Sequence, residues 1–340
     1  MESIMRIFSG IQPTGSVHIG NYLGAIKNWA SLQNQGESLF CIVDLHALTN
    51  GCPDPTQLRY NVRLMAACYV ACGIDPIKAT VFVQSHVSAH SEMAWLLSCI
   101  TPLGWLNRMT QFKDKAGKHR DTASLGLYAY PVLMAADILT YKATHVPVGA
   151  DQKQHLELAR DIAGAFNRLA PTLPQGLFPL PEPCIVGAAT RVMSLRDGQA
   201  KMGKSDPSDF SRIHLLDTPE EIEAKIQKAK TDSDLLPDTL DALENRAEAK
   251  NLLTIYAALT DQPLDKALAA FSGQNFSGLK KNLSEALVAT LTPIRVRICQ
   301  LLENPLALDS ILLLGAERAD EMAHHTIKEV KEVLGLLPLC

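Results

Sequence analysis

Two short segments could handle a phosphate chain. The first is Ser9-Gly10-Ile11-Gln12-Pro13-Thr14-Gly15-Ser16-Val17-His18-Ile19-Gly20-Asn21. An apolar run ends there in a loop bearing Gly and Pro, and a helix is predicted to start near Ile19. The first N–H groups of a helix lack intrahelical partners and carry the positive end of its dipole, which suits a phosphate. Gly20 would let a purine or ribose lie against the helix start with no Cβ in the way. His18 could donate to a phosphate oxygen that gains charge in a transition state. The second segment is Lys201-Met202-Gly203-Lys204-Ser205. Two lysines three apart in a Gly/Ser loop can bracket a polyphosphate, and such a loop can close and reopen. Taken singly, each has a plainer reading, an ordinary βα turn and a solvated charge cluster.

The elements that must position these loops alternate. Strands are predicted at residues 6–10, 38–43, 80–85, 145–149 and 191–195, and helices at 19–33, 57–72, 91–100 and 152–169. That rhythm reads as an α/β domain, a parallel sheet with crossover helices over residues 1–206. The run 145–149 leads directly to Asp151, and ligand residues in parallel sheets gather at strand carboxyl ends. Residues 102–140 break the rhythm and read as a short insertion with its own helices. After 206 the strand signals stop. Thr218-Pro219-Glu220-Glu221 is a capping box that starts a helix to about Lys230. Helical patterns follow at 243–259, 263–271, 278–302 (interrupted near Pro293) and 317–334. The expected organisation is therefore an α/β domain over 1–206, an all-helical domain over 207–315, and a last helix in 316–340 that packs back on the first domain.

Composition narrows the class. The 340 residues are 47% hydrophobic and 20% charged, enough apolar surface for a sizeable core. The net charge of −4 excludes a protein whose whole surface is a polycation. The balance is +3 over residues 1–206 and −7 over 207–340, so a nucleic acid would have to be read on the helical part by a few placed side chains. The charge-free stretches 93–107 and 122–136 are too short for a membrane span. Residues 1–12 lack a basic segment followed by an apolar run, so no secretory leader is expected. None of the eight cysteines forms a CxxC pair, and reduced thiols in a cytoplasmic protein are expected, with no structural zinc or iron–sulfur cluster. His86 and His90, spaced i,i+4, have no third ligand nearby and read as ordinary polar residues.

The two loops together form the paired signature of class I aminoacyl-tRNA synthetases, His-Ile-Gly-Asn at the start of the sheet and Lys-Met-Gly-Lys-Ser about 180 residues later. Four further segments narrow the match: Cys41-Ile42-Val43-Asp44-Leu45-His46-Ala47-Leu48-Thr49, the run 108–115, Tyr130 to Leu139, and Val146-Pro147-Val148-Gly149-Ala150-Asp151-Gln152-Lys153-Gln154-His155. With them the chain resembles the bacterial tryptophanyl-tRNA synthetases, densely over residues 6–206 and more loosely beyond. The resemblance implies a Rossmann-type catalytic domain, a helical anticodon-binding domain and a homodimer. It implies a two-step reaction, in which L-tryptophan is activated by ATP with Mg²⁺ and then passed to tRNA(Trp). Magnesium would be bound through the ATP phosphates, with no metal ligands from the chain.

By resemblance, Gln12, Pro13, Thr14, His18, Gly20 and Asn21 surround ATP. Gly149, Ala150 and Asp151 flank the adenosine, with Asp151 accepting from ribose hydroxyls, and Val192 lies near the adenine. Lys201 and Lys204, on the loop with Met202, Gly203 and Ser205, hold the β- and γ-phosphates, and Lys115 is a third candidate contact. Asp137 sits in the apolar run 132–139, where a carboxylate is costly unless paired. As an acceptor it could take the indole N–H, which phenylalanine lacks. Phe8, Met134, Val146 and Val148 would be apolar walls. Tyr130, read here as a turn residue before Pro131, would lie with Gln152 and His46 near the α-ammonium. Two letters depart from the family pattern: Asn21 replaces a His, and Gly203 stands where Ser is typical. The neighbouring readings are a tyrosyl-tRNA synthetase, a small-molecule nucleotidylyltransferase, and a catalytically silent tRNA-binding paralogue.

Overall fold

The computed structural model describes residues 5–49, 51–109, 123–147, 149, 152–184, 191–204 and 206–338. Five strands form one parallel sheet: β1 (Arg6–Ile11), β2 (Glu37–Ile42), β3 (Thr80–Val83), β4 (His145–Pro147) and β5 (Glu182–Cys184). Their spatial order is β3-β2-β1-β4-β5. The winding reverses between β1 and β4, so the crossovers diverge there and leave a crevice at the strands' carboxyl ends.

Side-chain alternation explains the layers. Ile7, Phe40, Ile42, Val81 and Val83 face one apolar cluster, while Phe8, Leu39, Cys41, Phe82 and Val146 face the other. Successive residues of a strand point to opposite faces, so both faces must be covered by helices. On the first face lie α1 (Ile19–Asn21, continued by a π-helical turn over Tyr22–Ile26 and by Lys27–Leu32) and α3 (Pro55–Ala71). The short α2 (Asp44–Leu48) follows β2. On the second face lie α4 (Ala89–Ser98), α6 (Leu125–Thr140) and α7 (Lys153–Asn167), with the short α5 (Leu103–Leu106) before α6.

The remaining helices are α8 (Pro219–Gln227), α9 (Leu240–Glu244), α10 (Ala247–Leu259), α11 (Leu264–Phe271), α12 (Phe276–Glu303) and α13 (Pro305–Val333). Their apolar residues join the first cluster, from Ile222 through Leu253 and Leu287 to Leu312, so sheet and helices share a continuous core. Among the described residues no single helix is long and apolar enough to cross a membrane.

Several expectations change. The fifth strand is Glu182–Cys184 and not 191–195. A Pro-bearing tripeptide reads poorly as a strand, yet an edge strand needs ladder bonds on one side only. Residues 191–195 instead make an isolated antiparallel bridge, Met193 to Lys201. Pro293 does not interrupt α12, and Pro131 lies inside α6 and not in a turn. In both helices buried neighbours, Leu291 and Ile294 or Val132 and Ala135, hold the backbone where proline deletes a bond. Residues 102–140 are only partly an insertion, because α6 is itself a core helix. The last helix starts at Pro305 and not 317, capped by Asn304, whose side chain accepts from the Ala307 N–H.

Helix α13 covers the open edge at β3. Its small residues Gly315, Ala316, Ala319 and Ala323 are buried, and a Cβ on Gly315 would stand 1.8 Å from the Val81 carbonyl oxygen. A strand edge is thereby shielded from other chains. Gly315→Ala should force helix and strand apart at a cost of about 1–3 kcal/mol, seen as a lower thermal midpoint. An unchanged midpoint would mean that α13 does not seat against β3 this tightly.

Candidate active site

The first loop leaves β1 at its carboxyl end and turns through Gly15, whose φ of +68° is a left-handed conformation that favours glycine. His18 then caps α1. Its Nδ1 accepts from the Gly20 N–H at 3.2 Å, and its own N–H donates to Asn21 Oδ1 at 3.2 Å. Asn21 is thus the third-position partner of a capping box, which gives this departure from the family pattern a structural use. A Cβ on Gly20 would press on the imidazole at 3.0 Å and lie 3.5 Å from Val192 Cβ. Burial, reinforced by Lys204, His214, Arg212 and Lys201, lowers the His18 pKa to about 3. The ring is therefore neutral, and since Nδ1 is used as an acceptor, Nε2 carries the proton. A neutral donor among cations is set to meet an anion.

The lysine loop is carried to this place by main-chain pairing. The Ile19 N–H donates to the Ile213 carbonyl at 2.8 Å and the Leu215 N–H to Val17 at 3.0 Å, an antiparallel clasp between 17–19 and 213–215. On the loop's other limb, the Met202 N–H donates to Val192 at 3.1 Å. Arg212 reaches across, its Nη1 donating to the carbonyls of Gly203 at 2.9 Å and Asp206 at 3.0 Å. Ser16 Oγ and His214 Nδ1 are 2.8 Å apart, and His214 Nε2 lies 2.8 Å from Asp209. The result sets Lys204 over the first loop, its Cδ 3.9 Å from where a Gly15 Cβ would be. Lys204 Nζ is shut from water and has no hydrogen-bond partner among the described residues. Burial lowers its pKa to about 8. A desolvated ammonium with no acceptor is a costly group that an anion would satisfy.

The second half of the site lies across β1. Asp137, on α6, is 2% exposed. Its Oδ1 accepts from Gln84 Nε2 and His90 Nδ1, and its Oδ2 from His46 Nε2, each at 2.7 Å. Burial pushes the carboxyl up, but the charges and hydrogen bonds of His46 and His90 outweigh it and hold the pKa at about 2. His46 stands edge-on to Tyr130, with ring centroids 4.4 Å apart. Its Nδ1 is buried with no hydrogen-bond partner among the described residues. Phe8 stacks on Tyr141 at 5.6 Å, and Val146 and Met134 pack in the same apolar cluster.

A phosphate-seeking half and a buried-acceptor half at one sheet switch point can be compared with known proteins. The family model for tRNA synthetases class I (W and Y) matches residues 2–292. A curated tryptophan–tRNA ligase of Caulobacter vibrioides is 53% identical, covering 97% of this chain and 95% of its own. That of Brucella melitensis biotype 1 is 51% identical over 97% and 98%. The crystal structure of the Mycoplasma pneumoniae tryptophanyl-tRNA synthetase superposes with a TM-score of 0.86 at 34% identity, covering 98% of both chains. One from Campylobacter jejuni, complexed with ADP and tryptophan, superposes at 0.80 with 35% identity, covering 98% of this chain and 100% of that one. The chain belongs to the class I tryptophanyl-tRNA synthetases.

In this synthetase the structure gathers Gln12, Pro13, Thr14, His18, Gly20, Asn21, Val192, Met202, Gly203 and Lys204 on the loop side. Gln152 opens α7, its N–H donating to the exposed Gly149 at 3.0 Å. Lys115, Val148, Ala150, Asp151 and Ser205 lie outside the described residues. His46 differs from expectation in that one ring nitrogen is already committed to Asp137. His90 is not an ordinary polar residue: it is fully buried and bridges Asp137 and Tyr141. Its signal was present in the helical spacing of Ala89, His90, Met93 and Leu97, which puts all four on the buried face of α4. Gln84 and Arg212 carried no comparable local signal.

Free Lys204 loses its proton near pH 8. Polyphosphate binding that needs the cation should weaken as pH rises from neutrality through 8, read as a rising dissociation constant for ATP. In Lys204→Arg, whose guanidinium stays charged, that rise should vanish. The same pH dependence in both proteins would show that another group titrates.

Proposed function

We propose that this synthetase activates L-tryptophan with ATP and transfers it to tRNA(Trp) in the cytoplasm. The observation that carries the reading is the pairing of a buried, unsatisfied Lys204 ammonium and a neutral His18 donor with a buried carboxylate acceptor across β1. A carboxylate oxygen of tryptophan attacks the α-phosphorus of ATP. The bond from that phosphorus to the oxygen bridging the β-phosphate breaks, and pyrophosphate leaves with the electron pair. His18 Nε2–H and the ammonium groups of Lys201 and Lys204 follow the charge that moves outward. This is catalysis by positioning and electrostatics, without a covalent nucleophile on the protein.

Asp137 Oδ2 takes the indole N–H, while Phe8, Met134, Val146 and Val148 wall the ring. Tyr130 and Gln152 meet the α-ammonium. His46, whose Nδ1 has no hydrogen-bond partner among the described residues, meets the same ammonium. Gln12 to Asn21, Gly149 to Asp151 and Val192 hold the nucleotide, with Lys115 a further phosphate contact. Magnesium would enter on the ATP phosphates, where it offsets their charge. Residues 207–315 form the anticodon-binding unit, reading unstacked bases by a few side chains and not by bulk charge. The working unit is a homodimer, supported by Trp95, Leu103 and Leu125, which are exposed by 71%, 67% and 79% around α4 to α6.

ATP–pyrophosphate exchange across the twenty amino acids should respond to tryptophan. Exchange with tyrosine alone would replace this reading with the tyrosyl one. In Asp137→Asn, the shape stays and the charged acceptor is lost, so kcat/KM for tryptophan should fall roughly 10- to 150-fold. Unchanged discrimination against phenylalanine would remove Asp137 from the role.

A further inference from the structure

Asp137 is not held by the substrate pocket alone. Behind it, away from His46 and Tyr130, a chain of buried polar groups runs back into the core. His90 Nδ1 lies 2.7 Å from Asp137 Oδ1, and His90 Nε2 lies 2.7 Å from the Tyr141 hydroxyl. His90 and Tyr141 are both fully buried. An ionised carboxylate accepts only, so His90 must present an N–H at Nδ1. Its Nε2 faces the Tyr141 hydroxyl, a group that can both donate and accept. Burial drives the Tyr141 pKa well up, which keeps its proton in place. His90 is thereby anchored from the core side as well as by Asp137.

Counting acceptor sites shows what this chain does. A carboxylate offers about four lone-pair directions. Oδ1 is filled by Gln84 and His90, and among the described residues Oδ2 accepts from His46 alone. One direction remains, on Oδ2. Gln84 is itself fixed, because its Oε1 accepts from the Leu45 N–H at 3.1 Å. The two Oδ1 donors stop the carboxylate from rotating about its Cβ–Cγ bond and stop a second proton donor from competing at that oxygen.

We propose that His90, backed by Tyr141, is a positioning residue that sets tryptophan specificity by turning the open lone pair of Asp137 toward the indole N–H. It rests on the reading of Asp137 as the indole acceptor. His90 touches neither substrate nor nucleotide, and it acts through Asp137. Removing it would loosen the carboxylate and leave one lone pair of Oδ1 and the Tyr141 hydroxyl unpaired in a dry place.

The test compares L-tryptophan with its benzothienyl analogue, which keeps the bicyclic shape and replaces the N–H by sulfur. Pyrophosphate exchange gives kcat and KM for each amino acid and for ATP, in the wild type, His90→Leu, His90→Asn and Tyr141→Phe. The wild type should prefer tryptophan by 10-fold or more. His90→Leu should lose most of that preference through a higher KM for tryptophan, with the KM for ATP unchanged. His90→Asn, whose amide N–H occupies the place of Nδ1, should restore most of it. Tyr141→Phe should lose part of it, since the ring is no longer anchored at Nε2. A wild type with no preference would overturn the Asp137 reading and the proposal together. A wild type with the preference and a His90→Leu that retains it would overturn the proposal alone. Parallel losses toward tryptophan, the analogue and ATP in both His90 variants would make His90 a residue of the core, and that too would overturn it.

Discussion

The nucleotide half of this synthetase depends on one short piece of main-chain pairing. Residues 17–19 meet 213–215 through the bonds from Ile19 to Ile213 and from Leu215 to Val17. These two stretches lie nearly 200 residues apart in the chain, and nothing else brings the start of α1 so directly to the stalk of the lysine loop. The clasp desolvates His18, brings His214 to Ser16, and lets Arg212 tie the loop's carbonyls from below. With the clasp in place Lys204 is held over Gly15 without an acceptor among the described residues. Energetically this is an unfavourable state of the free protein, and a phosphate chain would relieve it.

The half proposed for tryptophan obeys the opposite rule. Asp137 is buried but surrounded by donors, so its charge is already compensated before any ligand arrives. The two halves flank β1 and respond to different chemistry, anion hunger on one side and a preset acceptor on the other. An acceptor whose other directions are occupied rejects a side chain without an N–H, because that side chain leaves the last direction empty in a dry pocket. Shape alone would separate tryptophan from its neighbours less sharply.

Much of this was legible in the chain because it is local. A strand, a Gly- and Pro-bearing loop and a helix cap lie within thirteen residues, and the lysine loop within five. Strands β1 to β4 overlap the predicted runs, and the Thr218 box marks the start of α8. What escaped was set by distant packing. The prolines of α6 and α12 sit in helices whose buried flanks outweigh the lost bond. The strand Glu182–Cys184 exists because β4 offers it an edge. His90 lies 47 residues from Asp137 and Gln84 lies 53, and only the folded sheet places all three together. The histidine pair at 86 and 90 pointed toward metal chemistry or toward nothing, whereas one member serves a carboxylate and the other is exposed.

Both proposed halves would act on one molecule, the tryptophanyl-adenylate. A crystal structure of the synthetase with a non-hydrolysable analogue of that adenylate tests it most directly. The indole nitrogen should lie within hydrogen-bond distance of Asp137 Oδ2, and the phosphate oxygens should lie on the side of His18 Nε2 and the lysine loop. An analogue bound with its indole away from Asp137, or with its phosphate on the far side of β1 from His18, would contradict the account.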